Sequence, residues 1–202
     1  MPATTNFTAK DVQELRQRTG AGMMDCKKAL EECQGDAQKA SDLLRTRGMA
    51  KAEKRNEKEA SEGRVASYIH HNHRVGVLVE VNCETDFVAN TDDFKTLVRE
   101  LAIHIASSAP LAVDRSSVPV EVIERERRIY EEQTRAAGKP DHLIGRIVDG
   151  KIESYYKQVA LLSQPWVKDD KKTIEELVKE TSAKVGEKIA VRRFARFRVG
   201  GE

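Results

Sequence analysis

Histidine and cysteine are the residue types of this chain that could support metal or thiol chemistry. His70, His71 and His73 lie close together in sequence, but no Cys, Asp or Glu nearby completes a ligand set. Adjacent strand residues would also face opposite ways. Cys83 could act as a nucleophile, yet the sequence supplies neither an orienting third group nor an oxyanion turn. We therefore expect no metal site, no catalytic residue and no cofactor.

A different kind of chemistry, recognition of a partner, is indicated by the stretch from residue 80 to residue 90, Glu-Val-Asn-Cys-Glu-Thr-Asp-Phe-Val-Ala-Asn. Thr85 and Asp86 are cap and turn residues, so Phe87 lies on a short connection. That connection ends a strand whose buried face is formed by the alternating Val75, Val77, Val79 and Val81. Two interpretations remain open. Phe87 either folds back onto the core or is an aromatic anchor, with an acid beside it, for a partner's pocket.

Composition limits the class of protein. The chain has 202 residues, of which 39% are hydrophobic and 34% charged, which argues against wholesale disorder. The net charge is only +2, so nucleic acid binding would require a local basic patch. Three cysteines are too few for a disulfide framework, and no apolar run or signal pattern is present. We expect a soluble cytoplasmic protein that associates with no membrane and does not bind nucleic acid directly.

Residues 1–48 are predicted to form a three-helix docking module, similar to ubiquitin-associated domains in helix number and length. Thr8 is a good N-cap for the first helix. The second helix is predicted from about residue 24 to residue 33, and the third from its cap Asp36 to Gly48. Such a bundle is near the lower size limit for independent folding.

Two methionines, Met23 and Met24, are predicted to lie in the loop between the first two helices. Both could fill the small core, or one could remain exposed as an adaptable contact. The mixed charges of residues 49–62 then predict a solvated helical linker.

Residues 63–202 are predicted to form an α+β core domain, in which a small antiparallel sheet of about three strands packs with helices. Two strands are expected at residues 65–70 and 75–81, joined by a polar turn. A last strand begins at residue 189, and its odd positions are predicted to be buried: Ile189, Val191, Ala195, Phe197 and Val199. Its basic even face could be solvated, form a dimer contact or meet an anionic partner.

Two long segments, residues 15–30 and 80–90, closely resemble the signature segments of the bacterial elongation factor Ts family. The resemblance extends to Gly138-Lys139-Pro140, to residues 161–167 and to the basic last strand. It implies that the protein is not an enzyme. It would be a guanine nucleotide exchange factor that binds the GDP form of the GTPase elongation factor Tu and promotes release of GDP and Mg²⁺.

The resemblance also implies site residues. The family's magnesium-displacing segment corresponds here to Thr85, Asp86, Phe87 and Val88, with the phenylalanine inserted between GTPase helices. The resemblance implies that the N-terminal module docks on the GTPase through Arg16, Met23 and Met24. Short members of the family act as dimers, and this chain has room for one core, which predicts a homodimer. The alternative is a ribosome- or RNA-associated binding module without exchange activity, using the C-terminal arginines.

Overall fold

The chain begins with three helices and continues as a mixture of helices and strands, and the computed structural model describes residues 6–54 and 58–201. In these residues the eight α-helices are α1 (Ala9–Thr19), α2 (Met23–Glu32), α3 (Ala37–Lys54), α4 (Asp86–Ala89), α5 (Asp92–Ser108), α6 (Val120–Ala136), α7 (Asp141–Val159) and α8 (Ile174–Val185). The strands are β1 (Glu62–Ile69), β2 (Val75–Cys83), β3 (Pro165–Trp166), β4 (Asp169–Thr173) and β5 (Ile189–Arg198). The predicted α+β class is confirmed. None of the described helices combines the length and the apolar character that crossing a membrane requires.

Contacts within the chain define two compact units. One unit comprises the described residues of Met1–Arg64, Val81–Leu97 and Val178–Ala190. The other comprises those of Val65–Glu80, Val98–Leu177 and Val191–Glu202. The division predicted from the sequence, a module at 1–48, a linker at 49–62 and a core at 63–202, stays a prediction, and residues 55–57 of that linker lie outside the described part.

The first and third N-terminal helices begin at the caps that the sequence predicts. The Thr8 hydroxyl accepts a hydrogen bond from the Asp11 amide, and the Thr8 amide donates to the Asp11 carboxylate, which forms a capping box. Asp36 caps α3 by accepting from the amides of Gln38 and Lys39, both at 3.0 Å. The small core of this bundle is formed by Val12, Leu15, Cys26, Ala29, Leu30, Ala40 and Leu44.

The predicted end of the third helix at Gly48 is wrong, because α3 continues to Lys54. A glycine inside a helix costs only about 1 kcal/mol relative to alanine, so it need not end one. At this position a Cβ atom would lie 2.9 Å from the Cβ of Ala183 in α8. Gly48 therefore permits close packing of α3 against α8.

The main sheet is antiparallel, with the strand order β1-β2-β5. The predicted buried face of β2 is confirmed, because Val77, Val79 and Val81 are all buried. A separate two-stranded sheet pairs β3 with β4.

The predicted burial of the odd face of β5 is wrong over most of the strand. Ile189 is buried, but Ala195 is exposed and the Phe197 side chain is 68% exposed. The opposite face is the covered one, since the Arg196 guanidinium reaches the Ala106 carbonyl of α5, 3.1 Å from Nη2. Alternation identifies which residues share a face, but it does not tell which face the helices cover.

Candidate functional site

The connection after β2 forms a single helical turn, α4, and we call residues 85–88 the tip. The Thr85 side chain caps α4 by accepting a hydrogen bond from the Val88 amide at 3.4 Å. Asp86 is exposed and the Phe87 ring is 80% exposed, whereas Val88 is buried. The interpretation in which Phe87 folds back onto the core is therefore wrong. Of the four predicted tip residues, Asp86 and Phe87 face solvent, while Thr85 and Val88 hold the turn.

The C-terminal end of α4 is held by an arginine from β1. The Arg64 Nε donates to the Ala89 carbonyl, and its Nη2 donates to the Asn90 Oδ1, both at 2.6 Å. These bonds satisfy a carbonyl that a four-residue helix leaves without a partner.

The N-terminal end of α4 is held by Glu187, from the connection between α8 and β5. The Glu187 Oε2 accepts from the amides of Glu84 at 3.1 Å and Thr85 at 3.0 Å. The Glu187 Oε1 accepts from the Thr85 hydroxyl at 2.7 Å. We call these three bonds the Glu187 clamp. Sequence reasoning missed both Arg64 and Glu187, because no spacing pattern connects them with residues 25 and 102 positions away.

Cys83, the last residue of β2, lies two residues before Thr85 and is fully buried. Its thiol donates to the Thr85 carbonyl at 3.1 Å. Burial, and secondarily the Glu187 carboxylate, raises the pKa of Cys83. The thiol therefore stays protonated at neutral pH and contributes a structural hydrogen bond, not a nucleophile.

The predicted docking residues lie on α1 and α2. Met23 and Met24 are the first two residues of α2, so their predicted position in a loop is wrong. Their side chains are 43% and 62% exposed, which also excludes the interpretation in which both fill the bundle core. Cys26, Ala29 and Leu30 occupy that core instead.

Arg16 is exposed on α1 and lines a cleft of about 410 Å³. The other lining residues are Gln13, Gln17, Gly20, Asp93 and Lys184. Within the cleft the Lys184 Nζ lies 2.5 Å from the Asp93 Oδ1. The cleft, the tip and the two methionines all belong to the same compact unit. Their roles toward a partner stay predictions.

Two of the three histidines of the β1–β2 turn, His70 and His71, contact each other, and His70 also contacts a tyrosine. The Tyr68 hydroxyl lies 3.0 Å from the His70 Nδ1, and the rings of His70 and His71 are 4.2 Å apart. In the part of the chain that the structure describes, no group of three or more His, Cys, Asp or Glu residues is arranged to hold a metal ion.

Comparison with known proteins identifies the family. Residues 5–201 match the family model described as Elongation factor TS. The elongation factor Ts of Oleidesulfovibrio alaskensis is 53% identical over 194 residues, which cover 96% of this chain and 98% of the relative. Those of Thermosipho melanesiensis and Syntrophomonas wolfei are 51% and 54% identical, over 96% of this chain and 99% and 91% of the relatives. The chain therefore belongs to the elongation factor Ts family of translation elongation factors.

Proposed function

We propose that this protein is a guanine nucleotide exchange factor that acts on elongation factor Tu and is not itself an enzyme. The observation that carries the proposal is the exposed pair Asp86–Phe87 on a turn held at both ends. A large apolar ring that its own chain leaves in solvent is suited to a pocket on another protein. The cytoplasm is the location that this role requires.

Exchange by a binding protein follows from thermodynamic linkage. If the protein binds the nucleotide-free GTPase more tightly than the GDP form, GDP binding is weakened by the same factor. An acceleration of GDP release by about 10⁴ requires the free-energy barrier to release to fall by about 5.5 kcal/mol, at 1.4 kcal/mol per factor of ten. No bond is made or broken, so the tip needs shape and charge but no reactive group.

The exposed pair supplies both properties. The Phe87 ring would enter an apolar pocket and shift the GTPase elements that surround the nucleotide. The Asp86 carboxylate beside it would orient or polarise groups near the Mg²⁺ ion, which bridges phosphates and protein. Thr85 and Val88 act within the turn, one as its cap and the other as its buried anchor.

Docking is assigned to residues 1–48, with 49–62 as a linker and 63–202 as the core. Arg16, Met23 and Met24 are exposed on α1 and α2. Two flexible, polarisable side chains on one helix and an arginine on the preceding helix suit a contact surface that adapts to its partner. This surface would add affinity while the tip weakens nucleotide binding.

A homodimer is also proposed, through the outer face of the main sheet. This face carries exposed apolar side chains from all three strands and from the residue that follows β5: Val65, Ile69, Leu78, Phe197 and Val199. The ion pair between Arg193 Nε and Glu80 Oε2, 2.7 Å long, lies on the same face by strand alternation. A second copy would cover this apolar surface. Light scattering at micromolar concentration should give about twice the chain mass of 22.7 kDa, and a monomer with full activity would contradict the dimer.

The alternative function, RNA or ribosome binding through the C-terminal arginines, has less support. Arg193 pairs with Glu80, and Arg196 is bonded to a backbone carbonyl of α5. Both guanidinium groups already have partners within the chain.

The deciding experiment is release of fluorescent GDP from elongation factor Tu, with and without this protein. We expect the protein to accelerate release at substoichiometric concentration. An unchanged rate, together with RNA binding that weakens steeply with salt, would favour the alternative.

A further inference from the structure

We propose that Glu187 is a positioning residue for nucleotide exchange, which fixes the tip in the geometry that presents Phe87. The inference rests on the proposed function, since it concerns how the same tip acts. Glu187 does not belong to the tip, and its carboxylate makes three hydrogen bonds to residues 84 and 85.

The tip requires support from outside because α4 has only four residues. A helix of this length has no stability of its own in water. The amides of Glu84 and Thr85 lie between the end of β2 and the start of α4, where neither element provides an acceptor. The Glu187 Oε2 accepts from both amides, and charge-assisted bonds of this kind are stronger than neutral ones.

Glu187 also determines which hydrogen bonds the Thr85 hydroxyl donates and accepts at the start of α4. The Thr85 hydroxyl has one hydrogen, which it donates to the Glu187 Oε1 at 2.7 Å. Its lone pairs are then free for the Val88 amide, which lies 3.4 Å away. The carboxylate therefore fixes the rotamer of the residue that starts α4, one position before the exposed pair.

The connection that carries Glu187 is fixed in turn by the strand end that it supports. The Glu84 Oε1 accepts from the Lys188 amide at 2.7 Å, so a side chain from each segment binds the backbone of the other. The Ser182 hydroxyl donates to the Glu187 carbonyl. Gly186 has a φ of 82°, the left-handed conformation that ends α8 and returns the chain toward the tip.

These contacts predict a specific defect. Without the carboxylate, the tip would sample several conformations, and only the fraction of docked molecules that presents Phe87 would promote GDP release. The docking surface on α1 and α2 does not depend on these bonds. The maximal rate of exchange should therefore fall more than the affinity of docking.

The experiment measures GDP release as a function of exchange-factor concentration, so that the maximal rate and the half-saturating concentration are obtained separately. Glu187→Ala should lower the maximal rate about tenfold, equivalent to 1.4 kcal/mol. Glu187→Gln should recover most of the rate, because an amide oxygen can still accept from both backbone amides. Glu187→Asp keeps the charge but withdraws the carboxylate by one methylene, so it should resemble the alanine variant.

A triple variant distinguishes positioning from general stability. If Glu187 acts through the exposed pair Asp86–Phe87, adding Glu187→Ala to the Asp86→Ala/Phe87→Ala variant should slow release no further. Glu176→Ala is the matched control, because the Glu176 carboxylate accepts the Thr173 amide in the capping box at the start of α8. That variant should lower the melting temperature and leave the exchange rate unchanged.

Each outcome has a defined meaning. If Phe87→Ala slows release and Glu187→Ala and Glu187→Asp do not, the positioning role is refuted while the proposed function stands. If Phe87→Ala has no effect, the proposed function itself fails. If Glu176→Ala slows release as much as Glu187→Ala, or if the triple variant is slower than Asp86→Ala/Phe87→Ala, Glu187 acts on stability and the inference is overturned. Should Glu187→Ala fold poorly, the Asp and Gln variants decide the same question.

Discussion

Replacing Phe87 by alanine removes a ring that contributes little to the fold and, by our proposal, much to exchange. A phenylalanine side chain buries about 200 Å² when it is fully enclosed. Four-fifths of this side chain is exposed in the free protein. Enclosing that area in a GTPase pocket is worth up to about 4 kcal/mol at 25 cal/mol per Å². The remaining fifth contributes about 1 kcal/mol to folding by the same conversion.

These two contributions predict different effects of Phe87→Ala on the rate of GDP release and on the melting temperature. Interface residues of this kind commonly cost 2 kcal/mol or more when truncated. GDP release should therefore slow by about 30-fold or more, at 1.4 kcal/mol per factor of ten. The melting temperature should fall by no more than about 2–4 °C, since 1 kcal/mol shifts a domain of this size by that amount.

The assay is fluorescent GDP release from elongation factor Tu, with thermal unfolding measured on the same preparations. Phe87→Leu keeps an apolar side chain of smaller area and should fall between the wild type and Phe87→Ala. Leu111→Ala is the control, because Leu111 is a half-exposed apolar residue outside the tip and the sheet face. The reasoning is refuted if Phe87→Ala unfolds many degrees earlier while its folded fraction exchanges normally, or if exchange is unchanged at an unchanged melting temperature.

Four further predictions use the same preparations. Asp86→Ala should slow GDP release by about fivefold or less, because the interaction of an exposed carboxylate contributes about 1 kcal/mol or less. A slower release than that of Phe87→Ala would contradict this prediction. Met24→Ala should raise the half-saturating concentration and leave the maximal rate unchanged, since Met24 is exposed on the docking module. Phe197→Asp should give a monomer in light scattering, because it places a charge on the apolar sheet face, and a persistent dimer would assign the interface elsewhere. Burial lowers the pKa of His104, which is hydrogen-bonded to Gln164 at 2.9 Å, so its contribution to stability is complete above about pH 6.5. Below that pH the free energy of unfolding should fall by up to about 1.4 kcal/mol per pH unit. Denaturant titrations of the wild type and of His104→Gln between pH 8 and 5.5 measure this dependence, which should be smaller in the variant.

The starts of two helices, the buried face of one strand and the family could be predicted from the order of the amino acids. Thr8 and Asp36 start their helices as predicted, since a cap acts within three residues and leaves a readable spacing. The alternating valines of β2 predicted its buried face for a similar reason. The segments at 15–30 and 80–90 were sufficient to indicate the elongation factor Ts family, which the comparisons confirm.

Local pattern left the surroundings of each element undetermined. It predicted that Ala195 and Phe197 share a face, but not that α5 covers the opposite one. It did not decide whether Phe87 lies in the core or in solvent, because a single aromatic residue after a strand shows no repeating pattern from which its burial could be predicted. Gly48 was predicted to end α3, whereas its contact with Ala183 shows why a glycine lies within that helix.

The contacts that hold the tip are visible only in the folded chain. Glu187 follows Thr85 by 102 positions, and Arg64 precedes Ala89 by 25, so neither pairing leaves a local signature. Both bonds exist because folding brings separate segments to the two ends of a turn too short to be stable alone. The sequence therefore led to the proposal that residues 85–88 meet a partner. The fold shows that Asp86 and Phe87 face outward, while Thr85 and Val88 are bound within their own chain.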